Sequence, residues 1–199
     1  MDLPRYLTLI PLPDELRGKR VALRPYRTED AKALFDAIEE SRQHLAPWML
    51  WVAHHRSILE SQDFIAHSSA RWLLRDELNL AIWELKSGRY LGSTGLHGID
   101  WHLRRFEIGY WLRKSAEGHG YMTEAAGLLA DFALETLGAN RVEIRCDARN
   151  QRSAAVAERL GFVREACLRS AEHAPDGSLR DTLIFSLTPA DRDAGPQPA

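Results

Sequence analysis

Cysteine is scarce in this chain, with two among 199 residues. A disulfide framework or a site of paired metal-binding thiols needs more. Cys146 and Cys167 each sit in an apolar, strand-like run, so both read as buried core thiols of a cytoplasmic protein. Long apolar runs are missing too. None approaches the ~18 residues that a membrane helix needs, so no membrane partner is expected. Met1-Asp2-Leu3-Pro4-Arg5 lacks the basic and apolar regions of a signal peptide. Neither sign of charge dominates: 26 Lys and Arg stand against 28 Asp and Glu, a formal charge of −2. That balance argues against direct binding of nucleic acid through a broad basic face. The eight histidines show no ligand spacing, since His54 and His55 are adjacent while His67 and His97 stand alone. No metal site is expected.

What is present is an ordinary globular composition, 45% hydrophobic and 27% charged. The length suits one domain, placed at residues 1–187. Residues 188–199 carry three prolines without apolar periodicity and read as a loose tail. Alternation from Arg20 to Tyr26 predicts a first strand. Thr28 then caps a helix running to about His44, with Ala31, Leu34, Phe35 and Ile38 at helical spacing. A Trp-rich connection and a second helix, Ser57 to about Arg75, follow. The period next changes to two: Leu78–Leu85, Tyr90–Ile99 and Arg105–Leu112 predict an antiparallel meander. A long helix, Tyr121 to Leu137, ends at Gly138. A strand at 141–146, a helix at 150–160 and a hairpin formed by 162–173 and 179–187 complete the chain. The sum is an α/β (α+β) fold: a mixed, mostly antiparallel sheet of about seven strands with helices on both faces.

The most informative segment joins the Arg105–Leu112 strand to the long helix through Glu117-Gly118-His119-Gly120. Unpaired N–H groups and a partial positive charge at a helix N-terminus attract anions, and glycines let the backbone come close. A plain strand-to-helix turn fits as well. The P-loop is excluded because no Gly-Lys-Ser/Thr follows. The dinucleotide fingerprint fails because its third glycine would fall at Thr123.

Three segments together are more specific: Glu-Ile-Gly-Tyr-Trp-Leu (107–112), Gly-His-Gly-Tyr-Met-Thr-Glu-Ala (118–125) and Asn150-x-x-Ser153 with Glu-Arg-x-Gly-Phe (158–162). In combination they resemble the GCN5-related N-acetyltransferases, above all the branch that acetylates N-termini of ribosomal proteins. Leu-Arg-Pro-Tyr (23–26) and Leu-Ala-Pro-Trp-Met (45–49) are similar to that branch too. The resemblance spans about residues 18–187. One departure is Ser115, where the family often carries Gln or Arg three positions before the first glycine; Arg113 and Lys114 lie just upstream.

The resemblance implies acetyl-CoA as co-substrate. The backbone of Trp111, Leu112 and Arg113 would pair with the pantetheine arm. The N–H groups of Gly118, His119, Gly120, Tyr121, Met122 and Thr123 would hold the pyrophosphate, with the His119 side chain facing solvent. Asn150 would bond the pantetheine or acetyl end, or simply cap its helix. Arg159 would approach the nucleotide end, or be a solvated helix residue.

Amine acylation needs a group that removes a proton from the amine. Glu107 is the leading candidate. Alternation puts it on one side with Gly109 and Trp111, opposite Phe106 and Ile108, although a salt bridge to a neighbouring Arg would also explain it. Strand N–H groups near Ile108 to Tyr110 could hold the oxyanion. Ser153 could return a proton to the thiolate, or be an ordinary helix-start serine.

Trp48, Trp51 and Trp72 lie in the helical region that borders the acceptor site in such enzymes, and could also be core. The acceptor is expected to be a protein N-terminus, with a small amine such as a polyamine or aminoglycoside as the alternative. A silent acyl-CoA sensor is the reading from another class. A homodimer fits the family. Residues 28–63 hold seven acids and three bases, and residues 141–169 hold seven arginines and four acids. Those opposite fields would suit a cationic amine and the phosphates of CoA.

Overall fold

The structure, a computed structural model, describes residues 6–194. Eight strands form one sheet in the order β1-β2-β3-β4-β5-β6-β8-β7. They are β1 (Leu16–Arg17), β2 (Val21–Pro25), β3 (Leu78–Glu84), β4 (Tyr90–Asp100), β5 (Arg105–Leu112), β6 (Arg141–Asp147), β7 (Val163–His173) and β8 (Leu179–Leu187). The two-residue β1, too short to leave a periodic signal, adds one strand to the seven expected. Every neighbouring pair is antiparallel except β5 and β6. That exception follows from the chain between them, because parallel neighbours need a crossover element. Here it is α3 (Tyr121–Asp131), which widens into a π-helical turn at Phe132–Thr136. Gly138, at φ +65°, ends it.

Strand alternation sorts the core into two layers. Phe106 and Ile108 of β5 are fully buried with Leu129, Ala133 and Ala157 beneath α3 and α4 (Gln151–Arg159). On the opposite face Trp111 packs with Ala81 and Tyr90 against α1 (Ala31–Leu45) and α2 (Ile58–Leu74). Ser57 caps α2 by accepting from the Leu59 N–H, while Glu60 reaches back to the Ser57 N–H at 2.7 Å. At α1 the cap differs from the expectation: the Asp30 carboxylate, not Thr28, accepts from the Arg27 N–H at 2.8 Å. Asp30 also takes both guanidinium nitrogens of Arg24, at 2.7 and 2.8 Å, and this bidentate pair fixes the start of α1 to β2.

Two further expectations change. Cys146 packs against the core, but Cys167 is exposed, since β7 is the sheet's edge strand and most of its residues face solvent. The expected tail begins with a short helix, α5 (Pro189–Ala194), after Thr188 accepts from the Asp191 N–H. Arg192 ties α5 to Asp131 and Glu135. The remainder, 195–199, lies outside the described residues, as does the N-terminal segment 1–5. Among the described residues no helix is long and apolar enough to cross a membrane.

Candidate active site

The site begins where two strands part. β5 and β6 pair only from Arg105↔Arg141 to Glu107↔Glu143. Beyond that point β6 continues along β8 as far as Asp147, and β5 continues along β4 as far as Leu112. The sheet therefore opens into a fork with Glu107 at its base. Backbone groups alternate sides along a strand. The Arg113 N–H donates to Leu91, and the Gly109 carbonyl accepts from the Thr94 hydroxyl at 3.0 Å. A Cβ at Gly92 would stand 2.2 Å from the Trp111 carbonyl oxygen. Residues 109, 111 and 113 thus face β4, while Tyr110 and Leu112 face the fork with no strand beside them; the Ile108 N–H still turns to β6 at its last rung, Glu107↔Glu143. This corrects the expected trio. Of Trp111, Leu112 and Arg113, only Leu112 turns its backbone to the fork, and Tyr110 joins it.

The loop after β5 leads straight into α3. Gly118 and Gly120 adopt φ +77° and +75°, and no side chain caps the helix. The first amides of α3, on Tyr121, Met122 and Thr123, are thus left for an anion. Residues far away in sequence brace this loop. Arg20 donates to the His119 carbonyl at 2.7 Å and to Glu124 at 2.7 Å, and its guanidinium lies 5.2 Å from the centre of the Tyr121 ring. Glu40 accepts from the Ser115 N–H and hydroxyl and from Arg113. Burial works against ionisation there, but these hydrogen bonds outweigh it and hold the Glu40 carboxyl down at about 2. The Arg113 side chain is committed to Glu40 and Lys114 to Glu117, so neither charge is left for phosphate. His119 is exposed. No local pattern singles out Arg20 or Glu40, whose partners in and beside the loop lie more than seventy residues away.

On the α1–α2 face of the sheet lies a cavity of about 670 Å³. Its apolar wall comes from Leu34, Ile38, Met49, Trp51, Phe64 and Trp111, with the Trp51 and Trp111 ring centres 5.8 Å apart. Its polar wall holds Glu60, Asp63 and Glu77 together with His54, His55, His67 and His97. Sequence spacing missed this gathering of histidines because it draws on three separate segments. Among the described residues no group of three or more His, Cys, Asp or Glu could hold a metal ion. Trp51 lines the cavity as expected. Trp48 does not; its carbonyl accepts from Arg180 of β8 at 3.5 Å. Trp72 packs against the α3-side core.

Glu107 makes no hydrogen bond or ion pair among the described residues. Burial pushes its carboxyl up, and the nearby Arg145 only partly offsets this. The salt bridge offered as its bland explanation is not formed. Across the fork, Asn150 caps α4 by accepting from the Ser153 N–H at 3.2 Å, which leaves its own amide N–H groups for a ligand. The Ser153 hydroxyl lies 3.1 Å from the Tyr110 hydroxyl, whose pKa burial pushes up to about 12. Arg159 does not join Asn150 and Ser153. It is exposed at the far end of α4, ~13 Å along the axis from Asn150 at 1.5 Å per residue.

The two opposed fields also shrink. Asp30, Asp36, Glu39 and Glu40 are ion-paired, leaving Glu60 and Asp63 to face the cavity. Arg141, Arg145, Arg149 and Arg152 have acidic partners as well.

Known proteins share this fold and much of this sequence. A Bacillus subtilis protein named "Putative ribosomal N-acetyltransferase YdaF" is 31% identical over 170 residues, covering 85% of this chain and 92% of its own. The Escherichia coli ribosomal-protein-serine acetyltransferase is 33% identical over 91 residues, 46% of this chain and 51% of its own. The crystal structure of the microcin C7 self-immunity acetyltransferase MccE, in complex with acetyl-CoA and AMP, superposes with a TM-score of 0.81 at 27% identity, over 86% of this chain and 93% of that one. The model of the acetyltransferase (GNAT) domain matches residues 20–163. The chain belongs to the GNAT acetyltransferase family, a family of acyltransferases.

Proposed function

We propose that this protein transfers the acetyl group of acetyl-CoA directly to the N-terminal amine of a protein, with a ribosomal protein as the acceptor. The observation that carries this reading is the fork between β5 and β6. It joins an uncapped helix N-terminus on one side to a cavity walled by carboxylates and aromatic rings on the other. An extended thioester arm fits the open edge of Tyr110 and Leu112, and its phosphates fit the amides of Tyr121 to Thr123. The bound acetyl-CoA of the MccE structure and the names of the ribosomal relatives support the two substrates. Both substrates belong to the cytoplasm, where the enzyme works, and a homodimer is compatible with the open edge of β7.

Glu107 supplies the negative charge that draws the acceptor's ammonium toward the base of the fork. The N–H group of Tyr110 points where the oxyanion develops. The Ser153 hydroxyl, backed by a Tyr110 hydroxyl that stays protonated, returns a proton to the departing thiolate. Glu107→Gln is therefore expected to raise the KM for the acceptor more than it lowers kcat, read from steady-state thiol release. Ser153→Ala should lower kcat by about 10²-fold, the lower range for a general acid, with the KM for acetyl-CoA unchanged.

Incubation with acetyl-CoA and a library of N-terminal peptides and small amines tests the reading. Thiol release on peptides supports it. Release on polyamines or aminoglycosides alone replaces the acceptor, and binding of acetyl-CoA without turnover makes the protein a sensor.

A further inference from the structure

His97 is one of the cavity groups for which the mechanism above has no use. It stands on β4 directly opposite Glu107, so the two side chains share one face of the sheet. Its ring rests against the bare backbone of Gly109, where a Cβ would lie 3.0 Å from Cδ2 and 3.1 Å from Nε2. The missing side chain at 109 leaves the ring edge open to the strand that borders the fork. The ring's other nitrogen, Nδ1, lies 3.9 Å from the Glu77 carboxylate, which is itself paired with Arg71 of α2. His67 and Asp63, also on α2, complete this polar wall of the cavity.

We infer that His97, oriented by Glu77, takes the proton from the acceptor's α-ammonium group. The inference rests on the acetyl-transfer reading and deepens it by naming the base. Burial keeps the imidazole neutral by pulling its pKa below 6.5; Glu77 acts in the opposite sense and Arg71 adds to the lowering. A base of that strength is better matched to an α-amine, with a pKa of roughly 7.7–8.0, than to a lysine side chain near ~10.4. The ammonium gives one proton to Nε2, and the freed lone pair forms the N–C bond to the thioester carbonyl. As the C–S bond breaks, its electron pair leaves with sulfur. The thiolate takes the Ser153 hydroxyl proton, and the second proton, which the nitrogen loses as the amide forms, restores that hydroxyl. His97 releases its own proton to solvent through the cavity.

The test is the pH dependence of acetyl transfer to a peptide with a free N-terminus. His97→Gln is expected to lower kcat by about 10²-fold or more, to abolish the acidic limb of the kcat/KM profile and to leave acetyl-CoA binding unchanged. Glu77→Gln should move that limb to lower pH, because the charge that raises the imidazole's proton affinity is gone. Parent-like kcat with an intact acidic limb in His97→Gln overturns the inference, as does an unmoved limb in Glu77→Gln. Titration of the His97 ring by NMR in the parent protein covers the case of a variant that does not fold. A midpoint below 6.5 that shifts when the peptide binds supports the role, and a midpoint indifferent to saturating peptide refutes it. Equal rates on lysine side chains and N-termini overturn the amine class. Absence of transfer by the parent enzyme to any amine tells against the activity itself, whereas an active parent with an equally active His97→Gln tells against His97 alone.

Discussion

Gly120→Val is expected to raise the KM for acetyl-CoA by about tenfold to a hundredfold while leaving the fold intact. Gly120 sits at φ +75° immediately before α3, and a β-branched residue held there costs ~1–3 kcal/mol. Each 1.4 kcal/mol is about a factor of ten in affinity, so the loop either carries the strain or swings its amides away from the phosphates. The new Cβ would also meet the Arg20 guanidinium at 3.4 Å. Arg20 is the brace that holds the His119 carbonyl, so the substitution loosens the loop from two sides. Steady-state kinetics against acetyl-CoA, together with a thermal-shift titration with CoA, separates lost binding from lost folding. A variant with parent-like KM would mean that the amides of Tyr121 to Thr123 do not hold the phosphates.

Asp30→Ala is expected to cost about 3–5 kcal/mol of stability, the range for breaking one side of a buried ion pair. Asp30 is 3% exposed and Arg24 15%, and the guanidinium also stacks 4.7 Å from the Trp83 ring centre. Removing the carboxylate strands that charge and takes away the acceptor for the Arg27 N–H. For a chain of this size the melting temperature should fall by roughly 6–20 °C. Calorimetry of Asp30→Ala beside an Arg24→Met/Asp30→Leu double variant checks the cause. The double variant should recover part of the loss, because it buries no unpaired charge. If it is no more stable than Asp30→Ala, the pair is not what anchors α1.

The elements themselves were legible because each rests on neighbours a few residues apart. Ser57 and Glu60 form their cap within one turn, Gly138 stops α3 locally, and the two-residue period of Phe106 and Ile108 assigns them to the core face. Gly118 and Gly120 stand out by the same local logic, whereas Glu107, Asn150 and Ser153 enter through the family resemblance. Cys167 was misassigned because an apolar run cannot reveal that its strand would lie at the sheet's edge. The parity of Trp111 and Arg113 was misread for a related reason. Which side of a strand carries free backbone groups depends on which neighbour it pairs with, and β4 had already taken those two.

By itself the sequence determined the alternation of elements, the glycine loop opening α3, and the family to which the chain belongs. Those properties depend on φ/ψ preferences and periodicities that act over a few residues. The tertiary structure alone decided that β5 and β6 part after Glu107, that Arg20 and Glu40 brace the loop, and that His97 faces a cavity beside Glu77. Each of these joins groups from separate elements, and their distances are fixed by how the layers pack rather than by spacing along the chain.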